Sequence, residues 1–314
     1  MKPQITQKYF FTRCQDAQYL IPPIVYHSPD GRTQNPSNRN PGKKSFVNRE
    51  IATRRPLVLV FGGLDPSGAG LQADIETCFA LGCHALPIAT ANTIQSTVQL
   101  RSVEGIRPEL ILQQARHLFR DIGPVGACKI GVLPNAETVE AVVEIIRPWS
   151  AQIPVILDPV DTASSGGCLV TRAASAAMRK LLLPLVTLVK PNSFEARTLT
   201  GAAALAHAGN ELSRATRRGA LLTGTDDAHD SYVRHQLYCD GELHSEYRWP
   251  KIPGEFHGTG CTLTSAIAAL MAQGTTLNCA VATGLSYTWR TVCHAYSIGG
   301  RQMIPDRSSA HEHN

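Results

Sequence analysis

Residues 57–89 read LVLVFGGLDPSGAGLQADIETCFALGCHALPIA. The apolar run Leu57–Phe61 predicts a buried strand, and the glycine-rich segment after it leads into a helical pattern over Leu71–Leu81. A second apolar run, Ala85–Ala89, follows this helix. A strand, a helix and a further strand in this order form the repeating unit of a parallel sheet with helices packed on its faces.

The same alternation continues along most of the chain. Apolar runs predict four further strands at Gly126–Ile130, Val155–Leu157, Thr187–Val189 and Ala220–Thr223. Helical patterns fill the intervals at Pro108–Asp121, Ala136–Ile146, Arg172–Leu182 and Phe194–Leu199. Such an alternation is typical of a doubly wound sheet, in which ligands bind at the carboxyl ends of the strands.

The pattern changes near the carboxyl end. The turn pair Asp240–Gly241 joins Ser231–Cys239 to Glu242–Trp249, which predicts an antiparallel hairpin. Two long helices follow, at about Cys261–Gln273 and Leu277–Tyr296. The predicted fold class is therefore α/β, with a doubly wound, mostly parallel sheet flanked by helices and an antiparallel hairpin near the carboxyl end.

The composition is that of a globular protein. The 314 residues are 43% hydrophobic and 18% charged, which allows a large buried core. The longest apolar runs, Leu181–Val189 and Leu263–Ala272, are about half of the ~20 residues that a membrane crossing requires, so no membrane span is expected. Nine cysteines with no Cys-x-x-Cys pair and no secretory signal in front of them favour reduced thiols in the cytoplasm and no structural zinc site.

The positive charge is concentrated in the amino-terminal segment. Residues 1–55 hold 10 Lys and Arg against 3 Asp and Glu, whereas residues 56–314 hold 20 against 22. The second part has no excess of positive charge to neutralise a phosphate backbone, so no nucleic acid partner is expected. The first part lacks a sustained apolar period, which predicts a disordered basic extension over 1–55 and one folded domain over 56–314. A basic arm for a partner is the alternative function of this extension.

The strongest local signal is the segment 257–262, His-Gly-Thr-Gly-Cys-Thr, which runs directly into an apolar helix. Small residues there allow backbone N–H groups to point at a bound anion, and the helix dipole adds about half a positive charge at that end. We call residues 257–262 the phosphate cradle. An ordinary glycine-containing turn before a helix is the alternative interpretation.

Cys261 lies in the first turn of this helix. The pKa of a thiol at a helix N-terminus is expected to fall below the ~8.5 reference value, which would let Cys261 act as a base. The alternative is a small buried apolar residue, the common role of a free cysteine.

Two other features follow predicted strands. The loop Phe61–Gly70 is dense in glycine, but it matches neither Gly-x-Gly-x-x-Gly in register nor the Gly-Lys-Ser/Thr ending of a Walker loop. Asp158-Pro159 and Asn192-x-x-Glu195 place carboxylates where Mg²⁺ can be held beside ATP phosphates. A helix cap or a solvated loop carboxylate is the alternative for each acidic residue.

Taken in this order, the motifs resemble those of the hydroxymethylpyrimidine/phosphomethylpyrimidine kinases of the ribokinase-like superfamily, over nearly all of residues 57–307. Six segments are similar to family motifs: Gly63–Asp74, Thr90–Thr97, Lys129–Leu133, Ile156–Val160, Lys190–Glu195 and His257–Leu263. Most ribokinase relatives have Asp as the last residue of the glycine motif, whereas the pyrimidine kinases have Cys, as this chain has Cys261. The resemblance implies a ribokinase-like kinase domain over residues 56–314.

The resemblance also implies a role for each site residue. Catalysis would involve Cys261 as the base and the N–H groups of Gly258, Thr259 and Gly260. The pyrimidine would be surrounded by Gly63, Ala69, Asp74, Gln95, Val132 and Val160. Polar contacts to the ring would come from Asp74 and Gln95. ATP would be bound by Asn192, Glu195, Thr223 and Gly224. Mg²⁺ would be held by Asp158 and Glu195.

The implied activity is ATP-dependent phosphorylation of 4-amino-5-hydroxymethyl-2-methylpyrimidine and of its monophosphate to the diphosphate in thiamine biosynthesis. The expected partners are the pyrimidine and ATP, with a homodimer left open. A pyridoxal-type kinase is one alternative, because both substrates present a hydroxymethyl group on a flat heteroaromatic ring. A catalytically degenerate ligand-binding homologue is another, because Ser67–Gly70 is one glycine shorter than usual and Leu222–Thr225 replaces a common Lys-Gly-Gly-His.

Overall fold

The computed structural model describes residues 55–163, 166–225 and 230–308. Except for Arg55, the predicted basic extension over 1–55 lies outside the described residues. All elements below belong to the unit that begins at Arg55.

One nine-stranded sheet forms the centre of this unit, with the strand order β3-β2-β1-β4-β5-β6-β7-β8-β9. Pairing is parallel from β2 to β7 and antiparallel for β3, β8 and β9. The strands are β1 Leu57–Leu64, β2 His84–Gln95, β3 Leu100–Gly105, β4 Ala127–Ile130, β5 Val155–Leu157, β6 Leu188–Val189, β7 Gly219–Thr223, β8 Tyr232–Cys239 and β9 Glu242–Pro250. Two short strands, β10 Tyr296–Ser297 and β11 Met303–Ile304, form a separate antiparallel pair.

Helices cover both faces of the sheet. They are α1 Gly70–Ala80, α2 Pro108–Leu118, α3 Ala136–Ile146, α4 Arg172–Ala177, α5 Ser193–Thr200, α6 Leu205–Ala215, α7 Thr259–Ala272 and α8 Leu277–Cys293. Along β1, Leu59 and Phe61 pack with the core on the α2–α6 side, while Val58 and Val60 pack with the core on the side of α1, α7 and α8. Because both faces of β1 are buried, its sequence is a continuous apolar run instead of an alternating one.

Several segments differ from the prediction. The helix expected over Arg172–Leu182 is α-helical only to Ala177, and a π turn at Met178–Leu182 and a 3₁₀ turn at Leu183–Leu185 follow. Pro184 lies in that last turn, where its missing N–H cannot continue an α-helix. The prediction did not include strand β3 or helix α6.

The prediction of the fold class is confirmed. The sheet is mostly parallel, helices lie on both faces, and β8 and β9 form the expected hairpin around Asp240–Gly241. Helix α7 begins at the edge of the sheet where the parallel strands end, so the phosphate cradle and the strand ends border one cavity. In the described part of the chain, no helix has the length and apolar character needed to cross a bilayer.

Candidate active site

A cavity of about 600 Å³ lies at the carboxyl ends of the parallel strands. Every residue predicted for the site lines this cavity except Asp74: Gly63, Ala69, Gln95, Val132, Asp158, Val160, Asn192, Glu195, Thr223, Gly224, Gly258, Thr259, Gly260 and Cys261. These residues come from seven separate stretches of sequence, and the fold brings them together because parallel strands end at one edge of a sheet. Their individual roles stay predictions.

The phosphate cradle has the features of an anion site. Thr262 N–H donates to Gly258 O in the first hydrogen bond of α7, so the N–H groups of residues 259–261 have no acceptor within the helix. The hydroxyl oxygen of Thr259 is buried and has no hydrogen-bond partner among the described residues. Unsatisfied donors at the positive end of a helix dipole fit a phosphate group.

Glycine is required at position 258, where the phosphate cradle meets the glycine-rich loop Phe61–Gly70. Its φ of 82° lies in the left-handed region that favours glycine. A Cβ on this residue would lie 2.8 Å from Gly68 O and 2.7 Å from Arg307 Nη2. Arg307 is buried and holds the two segments together, because it donates to Gly68 O and to Thr262 Oγ1.

The pKa of the Cys261 thiol differs from the prediction. Burial raises the pKa of Cys261 to about 11, and the carboxylates of Asp74 and Asp158 also raise it. The ammonium of Lys129 and the N–H of Gly70 lower the pKa, but not enough to compensate. The expectation of a lowered pKa is therefore wrong, because desolvation outweighs the lowering by the Lys129 ammonium and the Gly70 N–H. With this pKa, only a small fraction of Cys261 is deprotonated at pH 7.

Asp74 also differs from the prediction, because it does not reach the cavity. Its side chain is fully buried behind the wall, where Lys129 Nζ donates to Oδ2 at 2.8 Å and Ser265 Oγ donates to Oδ1 at 2.6 Å. Although burial alone would lower the pKa of Lys129, the Asp74 carboxylate holds it above its ordinary value. The carboxylate is satisfied by these partners, so the expected direct contact to the ring is not available in this structure.

Asp158 and Glu195, the predicted magnesium ligands, both interact electrostatically with the buried ammonium of Lys190. Lys190 Nζ is 3.0 Å from Asp158 Oδ1. Burial raises the pKa of Glu195, Lys190 lowers it, and the charge of Asp158 raises it further, so that its pKa stays above the ordinary range. Two carboxylates around one ammonium leave an excess of negative charge when both are ionised.

This arrangement fits Mg²⁺ as an ion shared with phosphate. Within the described ranges, no group of three or more His, Cys, Asp or Glu side chains could hold a metal by itself. Mg²⁺ usually keeps several waters and is held by one or two carboxylates together with substrate phosphates. Asp158 and Glu195 supply the carboxylates that such a site needs.

The residues expected to bind ATP also have structural roles. Asn192 and Glu195 form a capping box, in which each side chain accepts a hydrogen bond from the other residue's backbone N–H at 2.8 Å. Thr223 Oγ1 donates to Pro191 O, and Gly224 O accepts a hydrogen bond from Ser193 Oγ. The helix-cap interpretation of Asn192 and Glu195 is therefore realised, while both residues still face the cavity.

The sequence did not predict a polar cluster around His257 that lines the cavity. His257 Nε2 lies 2.5 Å from Asp65 Oδ2, 3.2 Å from Ser67 Oγ and 3.3 Å from Gln95 Nε2. Burial alone would raise the pKa of Asp65, but hydrogen bonds to His257 and Ser67 hold it below its ordinary value. The cluster joins the cradle to the glycine loop and to the end of β2. The two segments are 192 residues apart in sequence at Asp65 and His257, so no local pattern indicates their contact.

Comparison with known proteins gives one family. A family model described as phosphomethylpyrimidine kinase matches residues 65–305. The chain is 34% identical over 252 residues to the hydroxymethylpyrimidine/phosphomethylpyrimidine kinase of Streptomyces coelicolor, an overlap that covers 78% of this chain and 91% of that protein. The Escherichia coli protein of the same name is 36% identical over 233 residues, which cover 71% of this chain and 85% of that protein.

A longer relative shares the same region. The thiamine biosynthesis bifunctional protein ThiED of Geobacter sulfurreducens is 34% identical over 261 residues, or 81% of this chain. The chain spans about half the length of that relative, because the overlap covers 52% of it.

Solved structures show the same fold. The pyridoxal kinase of Staphylococcus aureus in complex with pyridoxal aligns with a TM-score of 0.73 at 23% identity, covering 82% of this chain and 95% of that chain. The phosphomethylpyrimidine kinase of Clostridium difficile aligns with a TM-score of 0.65 at 28% identity, covering 76% and 100%. The family match rests on the sequence relatives, and the structures add the ribokinase-like fold. This chain therefore belongs to the phosphomethylpyrimidine kinase family and is a phosphotransferase, as its motifs predicted.

Proposed function

We propose that this chain transfers the γ-phosphoryl group of ATP to the hydroxymethyl group of 4-amino-5-hydroxymethyl-2-methylpyrimidine, and to the phosphate of the resulting monophosphate, in thiamine biosynthesis. The observation that carries this proposal is the position of Cys261 at the first turn of α7, where the thiol and the unsatisfied N–H groups of the phosphate cradle face one cavity. A base and an anion site side by side are what phosphoryl transfer to a hydroxyl requires.

In the first step, the hydroxymethyl oxygen attacks the γ-phosphorus in line with the departing ADP oxygen. As this P–O bond forms and the bond to ADP breaks, the hydroxyl proton moves to the sulfur of deprotonated Cys261. The N–H groups of residues 259–261 stabilise the charge on the migrating phosphoryl group. In the second step the phosphate of the monophosphate is the nucleophile, and it needs no base of comparable strength because it is already ionised at neutral pH.

Mg²⁺, held by Asp158 and Glu195, would neutralise charge on the ATP phosphate oxygens. We propose that ATP binds along Asn192, Glu195, Thr223 and Gly224. We propose that the pyrimidine binds against Gly63, Ala69, Gln95, Val132 and Val160. Both sets of residues line the cavity that also contains the phosphate cradle. We further propose a cytoplasmic location. The homodimer stays a prediction.

The test is incubation of the 314-residue chain with the pyrimidine and Mg-ATP, followed by mass analysis for the mono- and diphosphate. Both products are expected. Pyridoxal is offered in a parallel reaction, and a larger kcat/KM for pyridoxal would replace the proposed substrate by the pyridoxal-type alternative. Absence of ATP-dependent product from both substrates would favour the ligand-binding alternative.

Gln95 gives a prediction about the pyrimidine side of the cavity. This residue ends β2, its side chain is half-buried, and its amide lies beside His257. Replacing it by Leu keeps the size but removes the hydrogen bonds to a polar ring edge, at a cost of about 1–3 kcal/mol. We expect kcat/KM for the pyrimidine to fall roughly five- to 150-fold, with the KM of ATP little changed.

Titration of each substrate at a saturating level of the other separates the two effects. Gln99→Leu is the matched control, because Gln99 is exposed between β2 and β3 and does not line the cavity. Equal losses for both substrates, or none for the pyrimidine, would remove Gln95 from the substrate site.

A further inference from the structure

Lys190 is a buried lysine on the cavity wall that the reaction scheme above does not use. It directly follows β6 and is only 4% exposed. Its N–H donates to Leu157 O, and Nζ forms an ion pair with Asp158 Oδ1 at 3.0 Å. A lysine side chain is ordinarily protonated at neutral pH, and the carboxylate of Asp158 faces this one as an ion-pair partner, so Lys190 supplies an ammonium group to the cavity wall.

The ammonium lies directly against the phosphate cradle. A Cβ placed on Gly260 would be 3.3 Å from Lys190 Nζ and 3.5 Å from Asp158 Oδ2. Gly260 is thus a residue of the cradle that borders the ion pair, and a side chain at this position would contact it. The N–H groups at residues 259–261 and the ammonium of Lys190 line the same cavity.

Donor capacity at this point exceeds what the protein uses. An ammonium has three N–H donors, and within the described residues Lys190 Nζ forms one ion pair, with Asp158. The buried hydroxyl of Thr259 also has no partner among those residues. Unused donors on a buried cation, next to an anion site, indicate a ligand with several negatively charged oxygens.

We propose that Lys190 is a further catalytic residue, whose ammonium donates a hydrogen bond directly to the γ-phosphoryl group that is transferred. This inference rests on the proposed function, because it takes the phosphate cradle as the site of that group. Asp158 then orients the ammonium through their ion pair. A cation fixed by the fold stabilises the charge on the phosphoryl oxygens without reorganisation during the reaction.

The contact can be measured as binding, without turnover. Calorimetric titration in EDTA measures the affinities for AMP-PCP, which carries a γ-phosphate, and for ADP, which does not. Both are measured on the 314-residue chain and on its Lys190→Met variant. Loss of a hydrogen bond to a charged group corresponds to roughly ten- to 100-fold in affinity. We expect Lys190→Met to lower the affinity for AMP-PCP by this factor and the affinity for ADP by less than about threefold.

Two further variants serve as controls. Lys180→Met removes the same charge from an exposed lysine away from the cavity, and it is expected to change neither affinity. The double variant Asp158→Asn/Lys190→Met removes both charges of the pair, so it replaces Lys190→Met if the single variant does not fold. In the double variant the selective loss of AMP-PCP affinity is expected to persist.

Equal weakening of AMP-PCP and ADP in the Lys190 variants, or an AMP-PCP affinity that stays within about threefold of wild type, would overturn the proposal. Either result would leave Lys190 with the structural role of neutralising Asp158. Both titrations omit the pyrimidine, so their outcome is separate from that of the product analysis that tests the proposed substrate.

Discussion

Replacing Cys261 by serine is expected to lower kcat by about 10²- to 10⁴-fold while the protein still folds, because removal of a general base typically has an effect of this size. A serine hydroxyl keeps the polar group at the first turn of α7 but stays protonated throughout the accessible pH range. The loss should appear in kcat for the first phosphorylation and much less in the KM of either substrate, because the cavity walls are unchanged.

The raised pKa of Cys261 adds a pH dependence to this prediction. A base acts in its deprotonated form, and with a pKa of about 11 the thiolate fraction at pH 7 is small. That fraction rises about tenfold per pH unit well below the pKa, so kcat of the wild type should increase between about pH 7 and 9. Cys261→Ser should lose this increase.

Single-turnover rates over this pH range, together with thermal unfolding, check both statements. Cys293→Ser is the matched control, because Cys293 is an exposed free cysteine at the end of α8, and it should retain wild-type kcat. A Cys261→Ser variant whose kcat stays within about threefold of wild type would show that Cys261 has only a packing role. A wild-type rate that does not change with pH would contradict its role as the base.

Replacing Lys129 by methionine is expected to destabilise the protein by about 3–5 kcal/mol, because it leaves the buried carboxylate of Asp74 without its ionic partner. Both side chains of this pair are fully buried, so water cannot replace the lost ammonium. For a domain of this size, such a change corresponds to a fall in Tm of roughly 10 °C.

The double variant Asp74→Asn/Lys129→Met separates the ion pair from the packing around it. Removing both charges avoids the unpaired buried carboxylate, and we expect the double variant to regain most of the lost stability. Chemical denaturation of the wild type, both single variants and the double variant gives the coupling energy directly. If the free energy of unfolding of Lys129→Met is less than about 1 kcal/mol below that of wild type, the ion pair does not stabilise this part of the site.

The regular elements of the fold follow closely from the sequence. The strand Val155–Leu157 and the helix Ala136–Ile146 lie within the predicted bounds, since a buried strand is a short apolar run and an amphipathic helix repeats its apolar face. Strand β3 escaped prediction because its residues are half-buried or exposed and lack an apolar run. The second half of β2 was not predicted because it also lacks a continuous apolar run. The predicted strand ended at Ala89, whereas Gln95 lies on the strand.

The site also has a part that the sequence predicts and a part that depends on distant contacts. The motifs in the sequence predicted which loops form the cavity, and all but one of the named residues line it. Asp74 is the exception, because its two partners, Lys129 and Ser265, are 55 and 191 residues away and together turn its carboxylate into a buried, satisfied group. The cluster around His257 depends on an equally distant contact, and the proposed role of Lys190 depends on its ion pair with Asp158 at the end of another strand.

The sequence by itself therefore determined the α/β fold class, the family and the phosphate cradle, because each depends on residues that are neighbours in the chain or on periodic patterns. Only the tertiary structure decided the charge states inside the site. The helix N-terminus alone predicts a lowered pKa for Cys261, but burial and the carboxylates of Asp74 and Asp158 raise it to about 11. A pKa depends on every charge and on the loss of water within several ångströms, and those surroundings come from strands that only the folded sheet brings together.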